Sequence, residues 1–207
     1  MNQVDGDLRV VGNVVRTGDL LPPLRRNQLE QENNVAHPIS LADCRVWDSA
    51  QPLPATPASD DLGLVAGTFG TANCYVSAGD LKAAGATTRR ARCIVTLPPE
   101  YVAGETVSLR LACGMLTTAA DTSCTVDAEA YKIGRTSLVD GGDLVATAAQ
   151  SINSLVFADK TFTITPSTLS PGDQLDVRIS ITCTDAATAT AVTPAIAAVD
   201  LLVDTKG

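Results

Sequence analysis

Six segments of the chain alternate between apolar and polar or small residues with a period of two, and this pattern constrains the fold most. The segments are 91–97, 106–113, 123–133, 160–165, 174–183 and 195–204. Such alternation is typical of strands with one face buried, and glycine and proline separate the segments. The sequence therefore predicts an all-β fold, an antiparallel jelly-roll-like β-sandwich of roughly eight strands. Two ambiguous stretches, 79–85 and 142–151, allow a short helix or 3-10 turn.

An internal repeat supports this architecture. LPPEYVAGETVSLRL at 97–111 aligns with TPSTLSPGDQLDVRI at 165–179 at a constant offset of 68 residues. In each copy a proline ends a strand, an apolar residue (Tyr101 or Leu169) pins the loop, and a glycine followed by an acid begins the next strand. The same corner is thus expected twice, as in a jelly roll assembled from two related halves.

The chain contains six cysteines, with no CxxC spacing that would indicate a zinc or redox motif. Cys93, Cys113, Cys124 and Cys183 are in phase with apolar neighbours at period two, where a cysteine acts as a small hydrophobe. The N-terminal sequence MNQVDGDLRVVGN lacks the basic and apolar regions of a secretory signal peptide. We therefore expect reduced core thiols in preference to three disulfides.

Composition and motifs exclude several function classes. The net charge of −8 argues against a nucleic-acid partner, and no apolar run reaches the ~20 residues of a membrane span. The chain has one histidine and lacks the GxSxG, P-loop and HExxH motifs, so we expect no enzymatic activity and no cofactor. The acidic pairs Asp60-Asp61 and Asp140/Asp143 lack the spacing of an EF-hand loop and are interpreted as solvated turns, so no metal site is predicted.

The composition changes near residue 37. Alanine is absent from residues 1–35, where Gly6, Gly12 and Gly18 recur every six residues between short apolar groups. Pro22-Pro23 predicts a helix over 24–34, and His37-Pro38 is expected to close the segment as a linker. We therefore divide the chain into an N-terminal arm, residues 1–37, and a jelly-roll-like sandwich domain, residues 38–207.

The arm supplies the candidate contact residues. Its apolar side chains cannot be buried within so short a segment, so they require partner chains, a surface, or a hairpin folded back on the domain. A basic pair follows them and could meet an acidic neighbouring surface. The candidate oligomer or capsid contacts are Leu8, Val10, Val14, Val15, Leu20, Arg25 and Arg26.

Three stretches resemble structural proteins of tailed-bacteriophage virions: DDLGLVAGTFGTANCYVSAGDL, LPPEYVAGETVSLRL and TFTITPSTLSPGDQLDVRI. The resemblance covers about residues 60–204. The glycine hexads are similar to the intertwined β stems of trimeric phage fibres and decoration proteins. The resemblance implies a virion component assembled in the host cytoplasm, which forms a homo-oligomer, best a trimer, and binds other virion proteins such as the major capsid protein.

Two function classes follow from this resemblance. The first is a structural virion component, a capsid decoration (cement) or head-fibre protein, which the scarcity of aromatic residues favours. The second is a receptor- or carbohydrate-binding module of a tail fibre or baseplate, which a groove lined by Trp, Tyr and acids would favour. Trp47, the only tryptophan, is interpreted as a core or interface anchor. The basic residues Arg89, Arg90 and Arg92 are interpreted as protection of a strand edge or as a subunit contact.

We predict that the arm makes the oligomer. Burying each apolar arm side chain contributes roughly 1.5–3 kcal/mol, which inter-chain contacts can supply. Deleting residues 1–21 should therefore convert the trimer into a folded monomer or weak oligomer, measured by light scattering beside the full-length protein. A truncated protein that remains a tight trimer would place the interface on the sandwich.

Overall fold

The computed structural model describes residues 8–10, 13–15, 32–187 and 189–206. The described residues fall into two compact units, with the boundary between residues 31 and 32. In the first unit, strands β1 (Leu8–Val10) and β2 (Asn13–Val15) pair antiparallel, with Leu8 opposite Val15. The hexad glycines, Leu20, Arg25 and Arg26 lie outside the described residues, as does the predicted helix up to residue 31.

The second unit is all-β. Its one described helix is a 3-10 turn, Leu41–Asp43, and no helix among the described residues is long and apolar enough to cross a membrane. The strands are β3 (Glu32–Ile39), β4 (Gly63–Val65), β5 (Tyr75–Ser77), β6 (Gly85–Thr96), β7 (Val107–Met115), β8 (Ser123–Lys132), β9 (Gln150–Ser151), β10 (Ala158–Ile164), β11 (Gln174–Asp185) and β12 (Pro194–Lys206). All six strands predicted from the alternation are present, and the predicted fold class is confirmed.

The strands form two antiparallel sheets of a jelly-roll β-sandwich. The six-stranded sheet has the order β10-β7-β12-β5-β4, with β3 also pairing with β12. The four-stranded sheet has the order β6-β11-β8-β9. Strands β7 and β11 therefore lie inside their sheets, and β6 and β10 lie at edges.

The core is built from the inward-facing residues of both sheets. Along β11 every second residue is buried, from Leu175 to Asp185, and the residues between them are half-buried on the outer face. Strand β8 alternates in the same way. Among the largest fully buried side chains are Phe162, Leu109, Leu111, Ile164, Leu175, Ile181 and Leu201. This packing of two apolar faces is what the period-two pattern predicts.

The repeated corner occurs twice, once in front of each central strand. Tyr101 and Leu169 are both buried, and each donates its N–H to the carbonyl of the proline three residues earlier, at 3.0 and 2.9 Å. Gly104 and Gly172 follow with φ of 88° and 79°, a backbone conformation that favours glycine. Strand β7 begins after the first corner and β11 after the second, so the repeat starts one strand in each sheet.

Two local predictions are wrong. His37-Pro38 is part of strand β3 and not of a linker, with His37 opposite Leu201 and Pro38 opposite Asp200. Proline is tolerated there because, among the described strands, β3 pairs with β12 alone. Residues 32–34, predicted as the end of a helix, are also part of this strand. The stretches 79–85 and 142–151 contain no helix and form loops that lead into β6 and β9.

The cysteine prediction is confirmed for burial, whereas the prediction of reduced thiols holds for Cys93 and Cys113 and is wrong for Cys124 and Cys183. Cys93, Cys113, Cys124 and Cys183 are all buried, as their phase predicts. However, Cys124 of β8 lies directly opposite Cys183 of β11, and the two form a disulfide. Period-two phase identifies the inward face, but only the strand register shows that two inward cysteines are neighbours. Free thiols remain at Cys44, Cys74, Cys93 and Cys113.

The same substitution, isoleucine to alanine, can be compared at one buried and one exposed position. Ile181 of β11 is fully buried, whereas Ile94 of β6 is 56% exposed on the outer face. Ile181→Ala should lower the free energy of unfolding by about 2–5 kcal/mol, because it leaves a cavity. Ile94→Ala should cost under about 1 kcal/mol, since less apolar area leaves water on folding. Urea unfolding measures both, and equal losses would contradict this assignment of the core.

Candidate functional site

The outer face of the four-stranded sheet carries ordered rows of polar and aromatic side chains. Strand β11 pairs with β6 on one side and β8 on the other, so outward residues of the three strands stand side by side. From one end of the sheet to the other, the rows are Ile94–Asp176–Tyr131, Arg92–Arg178–Glu129, Arg90–Ser180–Asp127 and Thr88–Thr182–Thr125. The register of the sheet therefore determines which charges meet.

An open groove of about 220 Å³ lies on this face. It is lined by Trp47, Arg92, Tyr131, Asp176 and Arg178, all of them half-buried. Four of these residues come from strands β6, β8 and β11, and Trp47 comes from the loop that follows the 3-10 turn. The groove thus combines rigid sheet positions with one aromatic residue from a loop.

A compact loop holds Trp47 over the sheet. Val46 donates its N–H to the Gln51 carbonyl at 2.8 Å, which closes the loop around Trp47. The indole Nε1 donates to Asp60 Oδ2 at 3.0 Å. The guanidinium carbons of Arg90 and Arg178 lie 5.3 and 5.5 Å from the indole centroid, within the range of cation–π attraction. These contacts fix the ring beside the rows of β11.

The charges in the groove are paired. Arg92 Nε donates to Asp176 Oδ1 at 2.6 Å, and a second nitrogen of the same guanidinium donates to Oδ2. Two nitrogens of the Arg178 guanidinium both meet Oε2 of Glu129. The hydrogen bond to Asp176 raises the pKa of Arg92, so this guanidinium stays protonated. The groove thus presents donors and acceptors with little net charge.

Tyr131 remains a neutral phenol over a wide pH range. Burial raises its pKa, and the neighbouring carboxylates of Glu129 and Asp143 add to this effect. A neutral phenol can donate one hydrogen bond and accept others while its ring offers an apolar surface. Tyr131 therefore supplies a second amphipathic ring to the groove.

Three carboxyl groups lie near the Trp47 loop. Asp61 Oδ1 is buried and has no hydrogen-bond partner among the described residues. Burial, followed by the charges of Asp60 and Asp48, raises the pKa of Asp61. Ionisation of Asp61 is therefore less favourable in the folded protein than in the unfolded chain. In the described parts of the chain, no cluster of three or more His, Cys, Asp or Glu side chains could hold a metal ion.

The predicted basic cluster has a different environment from the one expected. β6 is an edge strand, as predicted, but its arginines are engaged and not simply solvated. Arg92 pairs with Asp176, and Arg90 lies 3.7 Å from Asp60. Arg89 donates to the carbonyls of Ser59 (3.2 Å) and Ala78. The cluster connects the strand to the loops beside it.

Of the predicted contact residues, Leu8, Val10, Val14 and Val15 lie on β1 and β2, and the others lie outside the described residues. All seven therefore stay predictions. The groove itself was missed, although its signals are present. The outward phase of β11 contains Asp176 and Arg178, and Arg178 matches Arg110 in the repeat. The sequence singles out Trp47, but only the fold brings Tyr131 to the same groove.

Comparison with known proteins gives likeness of fold alone. No family model and no curated protein matches the chain. Among solved structures, a xylan-binding module, CBM15, is 13% identical with a TM-score of 0.43, covering 84% of this chain and 100% of the module. The CBM22-1 xylan-binding domain from Paenibacillus barcinonensis Xyn10C is 9% identical with a TM-score of 0.38, covering 71% and 82%. A structure of infectious bursal disease virus, Gx strain, is 16% identical with a TM-score of 0.27, covering 73% of this chain and 40% of that chain.

Replacing Asp61 by asparagine should raise the free energy of unfolding in a pH-dependent way. The pKa of Asp61 is raised in the folded state, so protonation of Asp61 favours folding. This contribution to stability is complete below the unfolded-state pKa of Asp61, and it is lost as the pH rises through the folded-state pKa. Asp61→Asn should therefore be more stable than the wild type at pH 7, and this advantage should disappear near pH 3. Urea unfolding at both pH values measures it, with the exposed Asp121→Asn as control. An advantage that grows on acidification would reverse the sign and contradict the assignment.

Proposed function

We propose that the sandwich domain is a carbohydrate-binding module and that its ligand lies in the Trp47–Tyr131 groove. In the context of the phage resemblance, such a module belongs to a tail fibre or baseplate that recognises a surface glycan of the host. The observation that carries the proposal is the groove itself, in which two half-exposed aromatic rings flank paired charges on an open sheet face.

The chemistry of the groove matches that of a sugar ring. A pyranose has apolar C–H faces, which pack on aromatic rings, and hydroxyl groups at its edge, which both donate and accept hydrogen bonds. Trp47 and Tyr131 supply the rings. Arg92 and Arg178 supply donors, and Asp176 supplies acceptors beside them.

The pairing of the charges favours an uncharged ligand. The Arg92–Asp176 pair offers little net attraction to an anion or a cation, whereas both partners keep further hydrogen-bonding capacity toward hydroxyls. The groove is also open and shallow, which suits the interior of a polysaccharide chain better than an enclosed small molecule. The proposed ligand class is therefore a neutral polysaccharide.

A structural virion role is the second candidate. It draws on large apolar side chains exposed on loops, which would leave water on contact with a partner. Phe69, Leu138 and Val156 are 104%, 94% and 75% exposed. These loops offer contact sites to neighbouring virion proteins, and the role is compatible with a glycan site on the outer face of the four-stranded sheet.

Binding to soluble polysaccharides tests the proposal. Affinity electrophoresis and calorimetry with xylan, mixed-linkage glucan and host surface polysaccharides should identify at least one ligand. Trp47→Ala and Tyr131→Ala should each weaken its binding about tenfold, since an aromatic contact contributes roughly 1.5 kcal/mol. The emission of Trp47, the only tryptophan, should change on binding.

Matched controls come from the six-stranded sheet. Arg110 Nη2 donates to Asp200 Oδ2 at 2.8 Å, a pair equivalent to Arg92–Asp176 but outside the groove. Asp176→Asn should weaken binding, whereas Asp200→Asn and Tyr75→Ala should leave it unchanged. If no polysaccharide binds, or if the groove variants bind as well as these controls, the proposal is wrong.

A further inference from the structure

Two buried cysteines face each other where the Trp47 loop meets β6. Arg45 and Arg92 form an antiparallel bridge, with Arg45 N to Arg92 O at 2.7 Å and Arg92 N to Arg45 O at 2.9 Å. The residues next to such a doubly bonded pair stand opposite each other without hydrogen bonds, which is where antiparallel chains approach most closely, at about 4.5 Å between Cα atoms. Those residues are Cys44 and Cys93. This spacing is within the range that a disulfide spans.

The side chains of the two cysteines also meet. Both residues are 2% exposed and belong to the same core cluster. The thiols are hydrogen-bonded to each other, which lowers the pKa of Cys44 and raises that of Cys93. A thiolate therefore forms more readily at Cys44, and the thiolate is the nucleophile in disulfide exchange. Cys93 is placed to resolve the mixed disulfide.

We propose that Cys44 and Cys93 are a second disulfide site, oxidised by exchange with a small disulfide such as oxidised glutathione. The Cys44 thiolate attacks one glutathione sulfur, forms a mixed disulfide and releases one glutathione thiolate. Cys93, after losing its proton to water, attacks the Cys44 sulfur and releases the second glutathione. Two protein thiols and one oxidised glutathione thus become one protein disulfide and two reduced glutathiones.

The site is independent of the proposed carbohydrate binding, but it has a consequence for the groove. Cys44 begins the chain segment that carries Trp47, and Cys93 lies in the sheet beside Arg92. Without the bond, the segment is held at this point by the two hydrogen bonds of the Arg45–Arg92 bridge. Local opening of the segment gives the oxidant access to Cys44, and closure of the bond then ties the Trp47 loop covalently to β6.

The other free cysteines serve as internal controls. Cys113 lies on β7 of the six-stranded sheet, with its thiol 3.5 Å from the Leu111 carbonyl, and burial raises its pKa to about 12. Cys74 is exposed. If oxidation were indiscriminate, Cys74 would react first. Selective loss of the free thiols of Cys44 and Cys93, with Cys74 still reduced, therefore distinguishes a specific disulfide site from general surface oxidation.

The full-length protein, purified in reductant and equilibrated with mixtures of reduced and oxidised glutathione, tests the site. Free thiols are alkylated after unfolding, and peptide mass mapping identifies linked pairs. We expect a Cys44–Cys93 peptide beside the Cys124–Cys183 peptide, and free Cys113. The oxidised protein should melt about 5–10 °C above a Cys44→Ser variant, whereas Cys113→Ser should keep the Cys44–Cys93 link.

Mapping of the wild-type protein decides the outcome even if a variant fails to fold. Full alkylation of Cys44 and Cys93 at the most oxidising mixture would overturn the proposal. So would a stable glutathione adduct on Cys44, or a link between Cys44 and Cys74. A Cys44–Cys93 link without any polysaccharide binding would leave the redox site in place and reject only the proposed function.

Discussion

The corner that precedes each central strand is the constraint on which the rest of the sandwich depends. Proline ends the preceding segment, a buried Tyr101 or Leu169 anchors the loop to the core, and a glycine with positive φ turns the chain into the next strand. Because β7 and β11 each pair on both sides, the start of each strand sets the register of two neighbours. A shift of one residue would move every inward side chain to the outer face. The corners therefore determine the core and the outer rows together.

The two halves of the repeat differ in what the outer face carries. Arg110 and Arg178 occupy equivalent positions, and each pairs with a carboxylate on an adjacent strand, Asp200 or Glu129. Only Arg178 also lies beside an indole ring. The same strand framework thus carries Arg110 between Asp200 and Asp159 on one sheet and a groove on the other. The difference arises from the loop that contributes Trp47 together with the outward strand residues Tyr131, Arg92 and Asp176.

The sequence predicts those parts of the fold that depend on local periodicity. Alternation identifies β6, β7, β8, β10, β11 and β12, and the repeat identifies both corners. Features that depend on strand register are not predicted. The Cys124–Cys183 bond requires β8 and β11 to be aligned, and the pairing of β3 with β12 joins residues far apart in the chain. The groove is missed for the same reason, since Trp47 and Tyr131 are distant in sequence and become neighbours only through the sheet.

The segment that leads into the Trp47 loop and the segment around Leu62 occupy the free side of β6. Arg45 bonds to the backbone of Arg92, and the N–H of Leu62 donates to the carbonyl of Arg90 at 2.9 Å, so part of this edge is closed to another strand. An open edge of a sheet can recruit strands from other molecules. The segment that positions Trp47 for the proposed binding therefore also shields this edge, and sequence changes that loosen it to admit new ligands would expose a surface prone to self-association. Under the proposed function, this coupling limits how freely the loop can diversify on this scaffold.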